Sequence, residues 1–241
     1  MKATFLAALA ATFLGAVWSS IGSTSTAVWF AILFDLSLLA CLMVFARDQV
    51  PLLRRAVAAA LLLTILGRFL PGSSSWVTVC HAAAGGCWLL ALRVPTPLIL
   101  LRGDPPFPGS IKSMAGLPFL LWPMLVLFLL APEMPDGWGR NGWGAVVFAL
   151  LGAASSSRIG RVGPASLAYA MVAMVFWGVG WTFTLLGSAA YGHAAWPAVG
   201  FAASLLAEAI LVAAFLVEDG PRISPEALAF AEALGSDSDP V

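Results

Sequence analysis

The chain has 241 residues, of which 12 are basic and 12 acidic, while 61% are apolar and the mean hydropathy is +0.95. A soluble domain carries roughly a quarter charged residues, so this composition excludes a water-exposed globular fold. The zero net charge leaves no basic stripe for nucleic acid. What remains is an all-α polytopic transmembrane bundle, residues 1–217, followed by a polar tail, 218–241.

A crossing helix needs about 20 mainly apolar residues, and that ruler predicts eight spans. The first covers 3–18, and a break over Ser19, Ser20, Gly22 and Ser23 separates it from the second, 26–45. The third, 52–70, opens after Pro51 and closes at Pro71-Gly72, and the fourth is 76–92. A loop with Pro95, Pro97, Pro105, Pro106 and Pro108 leads to the fifth, 115–131, where Pro118 and Pro123 predict a kink. The sixth is 143–157, the seventh 165–187, and Trp196-Pro197 opens the eighth, 196–217. In the tail, Ser224-Pro225-Glu226 fits the start of a short helix, and Asp237 to Pro240 fits disorder. Met1-Lys2 before an apolar run also fits a cleaved signal peptide, which would leave seven spans and every loop on the same side.

The basic residues give an orientation, because cytoplasmic loops collect Lys and Arg. With the N-terminus inside, the inner segments hold Lys2, Arg47, Arg54, Arg55, Arg93, Arg102, Lys112, Arg158, Arg161 and Arg222, ten of the 12. Arg68 and Arg140 fall outside. Eight spans with both termini cytoplasmic, in a cell inner membrane, satisfy hydropathy and charge together. Trp18, Trp29, Trp76, Trp138, Trp143 and Trp196 fall near outer ends and Trp88 toward an inner end, where indoles lie among headgroups. Trp177 and Trp181 are deeper and are candidates to line a pocket.

Four ionisable groups lie within spans, where each is costly: Asp35, Arg68, His81 and Glu208. Asp35 is roughly 13 Å from the outer start of its span and His81 roughly 8 Å. Arg68, near an outer end, can turn inward or snorkel out. These three share the outer half of consecutive helices, so an Asp35–Arg68 pair with His81 in reach is the economical arrangement. Such a pair either fixes helix register or serves a site. Glu208 lies below the middle of its span, and is either an acid kept protonated by burial or part of a polar pocket. Asp35, His81 and Glu208 are thus the candidate catalytic groups, and Arg68 the structural or pocket residue beside them.

Other chemistry is absent from the sequence. There is no H-E-x-x-H, G-x-S-x-G or P-loop. Two histidines, one of them intramembrane, do not make a bis-histidine haem site, and Lys2 and Lys112 are too peripheral for a retinal Schiff base. No metal or cofactor is expected. Cys41, Cys80 and Cys87 fit small apolar packing residues, the last two lying about 10 Å apart along one helix, too far for a disulfide. Gly85-Gly86 and Gly178-Val179-Gly180 fit close helix approach, and Thr182 and Thr184 fit hydroxyls bonded back to their own helix.

The run Arg54-Arg55-Ala56 through Leu62-Leu63-Thr64-Ile65-Leu66-Gly67 is similar to the third helix of the lysoplasmalogenase, or YhhN-like, family, an Ala/Leu run ending in Gly-Asp. Trp76 to Leu92 with His81 resembles its fourth helix, Tyr169 to Ala190 has the placement of its seventh, and Ala202 to Leu216 resembles its eighth, where the family has a Gln near Glu208. The resemblance covers most of the chain as hydropathy and spacing. It implies an eight-helix fold and, in the family, hydrolysis of a lysoplasmalogen vinyl ether. The acids thought to serve that reaction do not match: Gly67-Arg68 replaces Gly-Asp, Gly180-Trp181 replaces Ser-Asp, and Asp35 stands close to a family Lys. Three function classes follow. The first is a lysoplasmalogenase-like protein that binds or processes a lipid-like amphipathic molecule. The second is a small-molecule or proton-coupled transporter using Asp35 and Glu208, and the third an accessory subunit. Membrane lipids are the expected partners, with other membrane proteins in the third class.

Overall fold

The computed structural model describes residues 2–22, 24–46, 51–70, 75–93, 109–130, 138–156, 164–188 and 195–217. Among them are eight helices and no strand: α1 Lys2–Gly22, α2 Thr24–Phe45, α3 Pro51–Phe69, α4 Ser75–Arg93, α5 Gly109–Leu130, α6 Trp138–Ser156, α7 Pro164–Ser188 and α8 Trp196–Leu216. Prolines open α3 and α7 and occupy the first turn of α8, where a missing N–H costs nothing. The described end of α8 is a hydrogen bond from the Val217 N–H to the Ala213 carbonyl, after which the chain turns extended. The proline-rich segment, the tail, the basic residues Arg47, Arg102, Arg158, Arg161 and Arg222, and the side chains of Lys2, Lys112, Trp138, Arg140 and Trp143 lie outside the described structure.

Three helices are long and apolar enough to cross a membrane, Ser25–Phe45 in α2, Ser166–Leu186 in α7 and Trp196–Leu216 in α8, with shorter apolar stretches Leu6–Gly22, Met114–Leu130 and Ala145–Ser156. The chain is a helical membrane protein. α3 and α4 are diluted by Arg54, Arg55, Arg68, His81 and Arg93. The outer surface is nevertheless what lipid requires: Leu14, Trp18, Phe69, Trp76, Met114 and Phe128 are all more than half exposed. On α3 the buried set Leu53, Ala56, Val57, Ala60, Leu61, Thr64 and Ile65 recurs at three- and four-residue spacing. Its opposite face, with Leu62 and Leu66, is exposed and, Arg55 apart, also apolar.

Helix boundaries depart from the hydropathy reading in three places. α1 runs through the serines to Gly22, because the Ser20 hydroxyl folds back onto the Val17 carbonyl at 2.7 Å instead of breaking the helix. α5 and α6 begin at Gly109 and Trp138, ahead of the expected 115 and 143, since a helix can continue past its apolar portion. α5 is helical through both Pro118 and Pro123.

Neighbour relations order the bundle. α1 packs on α2, α2 on α3, α3 on α4, α4 on α6, α6 on α7, α7 on α8 and α8 back on α1. The helices therefore close a ring of seven, crossed by an α2–α8 contact, with α5 lodged outside against α6 and α7. α7 and α8 form the most extensive pair. Their seam is made of small residues: a Cβ added at Gly180 would stand 2.9 Å from the Gly200 carbonyl oxygen, and one at Gly200 would stand 2.8 Å from the Thr184 nitrogen. Backbones approach this closely only where side chains are absent.

Candidate functional site

Three of the four intramembrane ionisable residues meet. Arg68, in the last turn of α3, turns inward rather than snorkelling out. Its Nε donates to Asp35 Oδ2 on α2 at 2.8 Å, and its Nη2 donates to Glu208 Oε2 on α8 at 3.3 Å. The face of the guanidinium lies over the Phe201 ring, 5.7 Å from its centroid. The expected Asp35–Arg68 pair is present. The expectation that Glu208 lies at a separate depth is corrected: the long arginine side chain bridges the difference in level between α3 and α8.

The two carboxylates are not equivalent. Asp35 is fully buried, and its Oδ1 has no hydrogen-bond partner. Glu208 is also buried but lines a cavity of about 390 Å³. Arg68 and Thr64 reach that cavity from α3, His81 and Trp88 from α4, Trp177 and Trp181 from α7, and Phe201 and Ser204 from α8. Asp35 is not among its lining residues. It shares the Arg68 guanidinium with Glu208 and stands outside the cavity wall. His81 belongs to the wall and is otherwise exposed. Its Nε2 would stand 3.5 Å from a Cβ at Gly67, an ordinary contact distance that sets the imidazole against α3.

The aromatic part of the wall is held rigidly. Trp88 stacks on Phe215 with centroids 6.4 Å apart, and Trp181 on Phe148 at 6.5 Å. Trp177 and Trp181 do line the cavity, as their depth suggested. Trp88 and Phe201 were not singled out by sequence. An aromatic in an apolar run carries no contrast with its neighbours, and Trp88, read from the sequence only as an interface residue, is 1% exposed. Of the two threonines on α7, Thr184 donates to the Gly180 carbonyl as expected, whereas the Thr182 Oγ1 accepts a hydrogen bond from Trp122 Nε1 on α5 at 3.0 Å.

The volume lies where the ring is loosest. α3 and α8 are not among the packed pairs, so side chains rather than backbones span the space between them. One guanidinium is shared by two carboxyl groups at one end of a chamber whose remaining wall combines aromatic, aliphatic and hydroxyl side chains. Such a site can hold a polar group at Glu208 and an apolar group against the indoles, and Glu208 and His81 are placed to exchange protons with an occupant. Among the described residues no three His, Cys, Asp or Glu side chains gather as they would around a metal ion. No protein-family model, curated protein or solved structure matches the chain.

Proposed function

We propose that this membrane protein holds a small, lipid-like amphipathic molecule in the chamber between α3, α4, α7 and α8. The observation that carries this reading is the pairing of a polar end, formed by Arg68, Glu208 and His81, with walls of Trp88, Trp177, Trp181 and Phe201 in one cavity of about 390 Å³. That volume falls within the usual range for small-molecule sites, and a few convergent polar groups in an aromatic enclosure are their usual makeup. The resemblance to the lysoplasmalogenase family points toward the same ligand type, in an eight-span bundle with both termini cytoplasmic.

Binding is favoured over hydrolysis. An ether hydrolase needs a proton donor and an activated water at the scissile bond. Asp35 does not reach the cavity, which leaves only Glu208, already bonded to Arg68, and His81 at the wall. A transporter that used Asp35 and Glu208 as successive stations would need a wet path through both, whereas here both are bonded to the one guanidinium and only Glu208 lines the cavity. A purely structural subunit would have no use for a carboxylate opening on an aromatic chamber.

The test is untargeted mass spectrometry of the full chain purified in mild detergent, beside Trp177→Ala and Glu208→Gln. A stoichiometric organic amphiphile, depleted in both variants, is the expected result. Preparations of folded protein that carry no such molecule, in detergent and in native-lipid particles alike, would overturn the reading.

A further inference from the structure

The charge pattern of the chamber identifies the polar end of its occupant, and the following rests on the binding role proposed above. Arg68 is the one guanidinium at the site, and both of its observed ion pairs are internal, to Asp35 and to Glu208. Its face is taken by Phe201. An anionic group entering the cavity would compete with two carboxylates for one cation. A cationic group instead meets the Glu208 carboxyl on the wall, whose oxygens can accept from it.

Aromatic residues supply the second, independent half of the argument. Three indoles and one phenyl ring border the same cavity as Glu208. Tryptophan is the strongest aromatic partner for a cation, and enclosure by several rings beside a carboxylate is how quaternary and protonated amines are recognised. Trp88 and Trp181 are stacked on Phe215 and Phe148, so the enclosure is formed in advance rather than assembled around the ligand.

We infer that the chamber selects lipophilic monocations, molecules with an ammonium group and an apolar remainder, and discriminates against amphiphiles that carry a phosphate or sulfate. A zwitterionic head is disfavoured along with a simple anion, because the Arg68 guanidinium is already held by two carboxyl groups and Glu208 stands beside it on the wall. The cavity amounts to the liquid volume of about a dozen waters, enough for the head and the first carbons of a chain.

Four probes of equal tail length test this on the full-length protein in lipid nanodiscs, read by tryptophan fluorescence and checked by equilibrium dialysis. They are octyltrimethylammonium, octyl glucoside, octylphosphocholine and octyl sulfate. The ammonium probe is expected to bind about tenfold more tightly than the glucoside, with the phosphocholine weaker than the ammonium and the sulfate weakest. Glu208→Gln should erase the advantage of ammonium over glucoside and leave glucoside binding unchanged. Equal binding of ammonium and phosphocholine, or of ammonium and glucoside, overturns the charge selection while leaving amphiphile binding intact. Failure of all four probes overturns both. The ranking on the unaltered protein decides the question even where Glu208→Gln does not fold.

Discussion

Helix α8 meets two neighbours in opposite ways, and the contrast explains why there is a cavity. Toward α7 it presents Gly200 and Ser204 to Gly180 and Thr184, and the backbones touch. The Ser204 and Thr184 hydroxyls are spent on the Gly200 and Gly180 carbonyls of their own helices, at 2.9 and 2.8 Å, so the seam asks for no polar partner. Toward α3 it presents Phe201 and Glu208, which hold the helices apart, and Arg68 spans the gap. In lipid there is no hydrophobic drive between helices, so contact must come from close packing or from polar bonds. One seam uses the first and brings backbone against backbone. The other uses the second and leaves a chamber.

Breaking the first seam should have the largest effect. Gly180→Leu puts a side chain into the Gly200 carbonyl and the Ser204 backbone nitrogen, atoms that cannot step aside. We expect the yield of monodisperse protein in size-exclusion chromatography to fall roughly tenfold or more. Normal elution would show that α7 and α8 are not in backbone contact.

Breaking the second should cost less but still be severe. Asp35→Ala leaves Arg68 with one weaker partner, and removing half of a buried ion pair costs about 3–5 kcal/mol. Thermal unfolding read by a thiol-reactive dye suits the measurement, because Cys41 and Cys80 are buried until the bundle opens. Exchanging the two charges, Asp35→Arg with Arg68→Asp, is not expected to restore stability fully, since the shorter aspartate at position 68 would stand toward Glu208 while the one arginine has moved to the α2 side. Adding Glu208→Gln to that double exchange should recover part of the loss. Full rescue by the double exchange alone would mean that Glu208 is no part of the cluster.

Two milder changes sharpen the comparison. Trp122→Phe removes the hydrogen bond to Thr182 that ties the outlying α5 to α7, and should cost about 1 kcal/mol in the same assay. A Cβ added at Gly86, unlike one at its neighbour Gly85, would have nothing within 4 Å. Gly86→Ala should therefore raise stability by about 0.5–1 kcal/mol through helix propensity alone, whereas Gly85→Ala, which drives a methyl to 2.6 Å from Val147, should not. Equal effects at the two glycines would contradict the α4–α6 packing.

The polar part of the site was legible because the sequence offers so little else. An ionisable residue in an apolar run stands out, and consecutive helices at matching depth made the Asp35–Arg68 pair the natural guess. Glu208 was legible as an oddity but not as a member of the cluster. It is 140 positions from Arg68, and rise per residue measures the level of a Cα, not the reach of an arginine. Trp88, Phe201 and Ser204 were not legible as wall residues at all. In a soluble helix the buried face is the apolar one. On α3 both faces are apolar, so periodicity no longer separates core from lipid. The helix count was readable for the same reason that neighbour order was not: hydropathy marks spans, and nothing in it places α5 outside the ring.

That ring has a consequence for how the site comes into being. A chain is made from its N-terminus, so Asp35 and Arg68 are both synthesised with the first three helices. Glu208, Phe201 and Ser204 arrive with α8, which packs against α1 as well as α7. Until α8 inserts, the seventh helix lacks its closest neighbour, the bundle is open along one side and the arginine has a single counter-charge. The chamber is therefore a product of completion. A chain stalled before its last helix carries an Asp35–Arg68 pair without the helix that covers it, and no binding site.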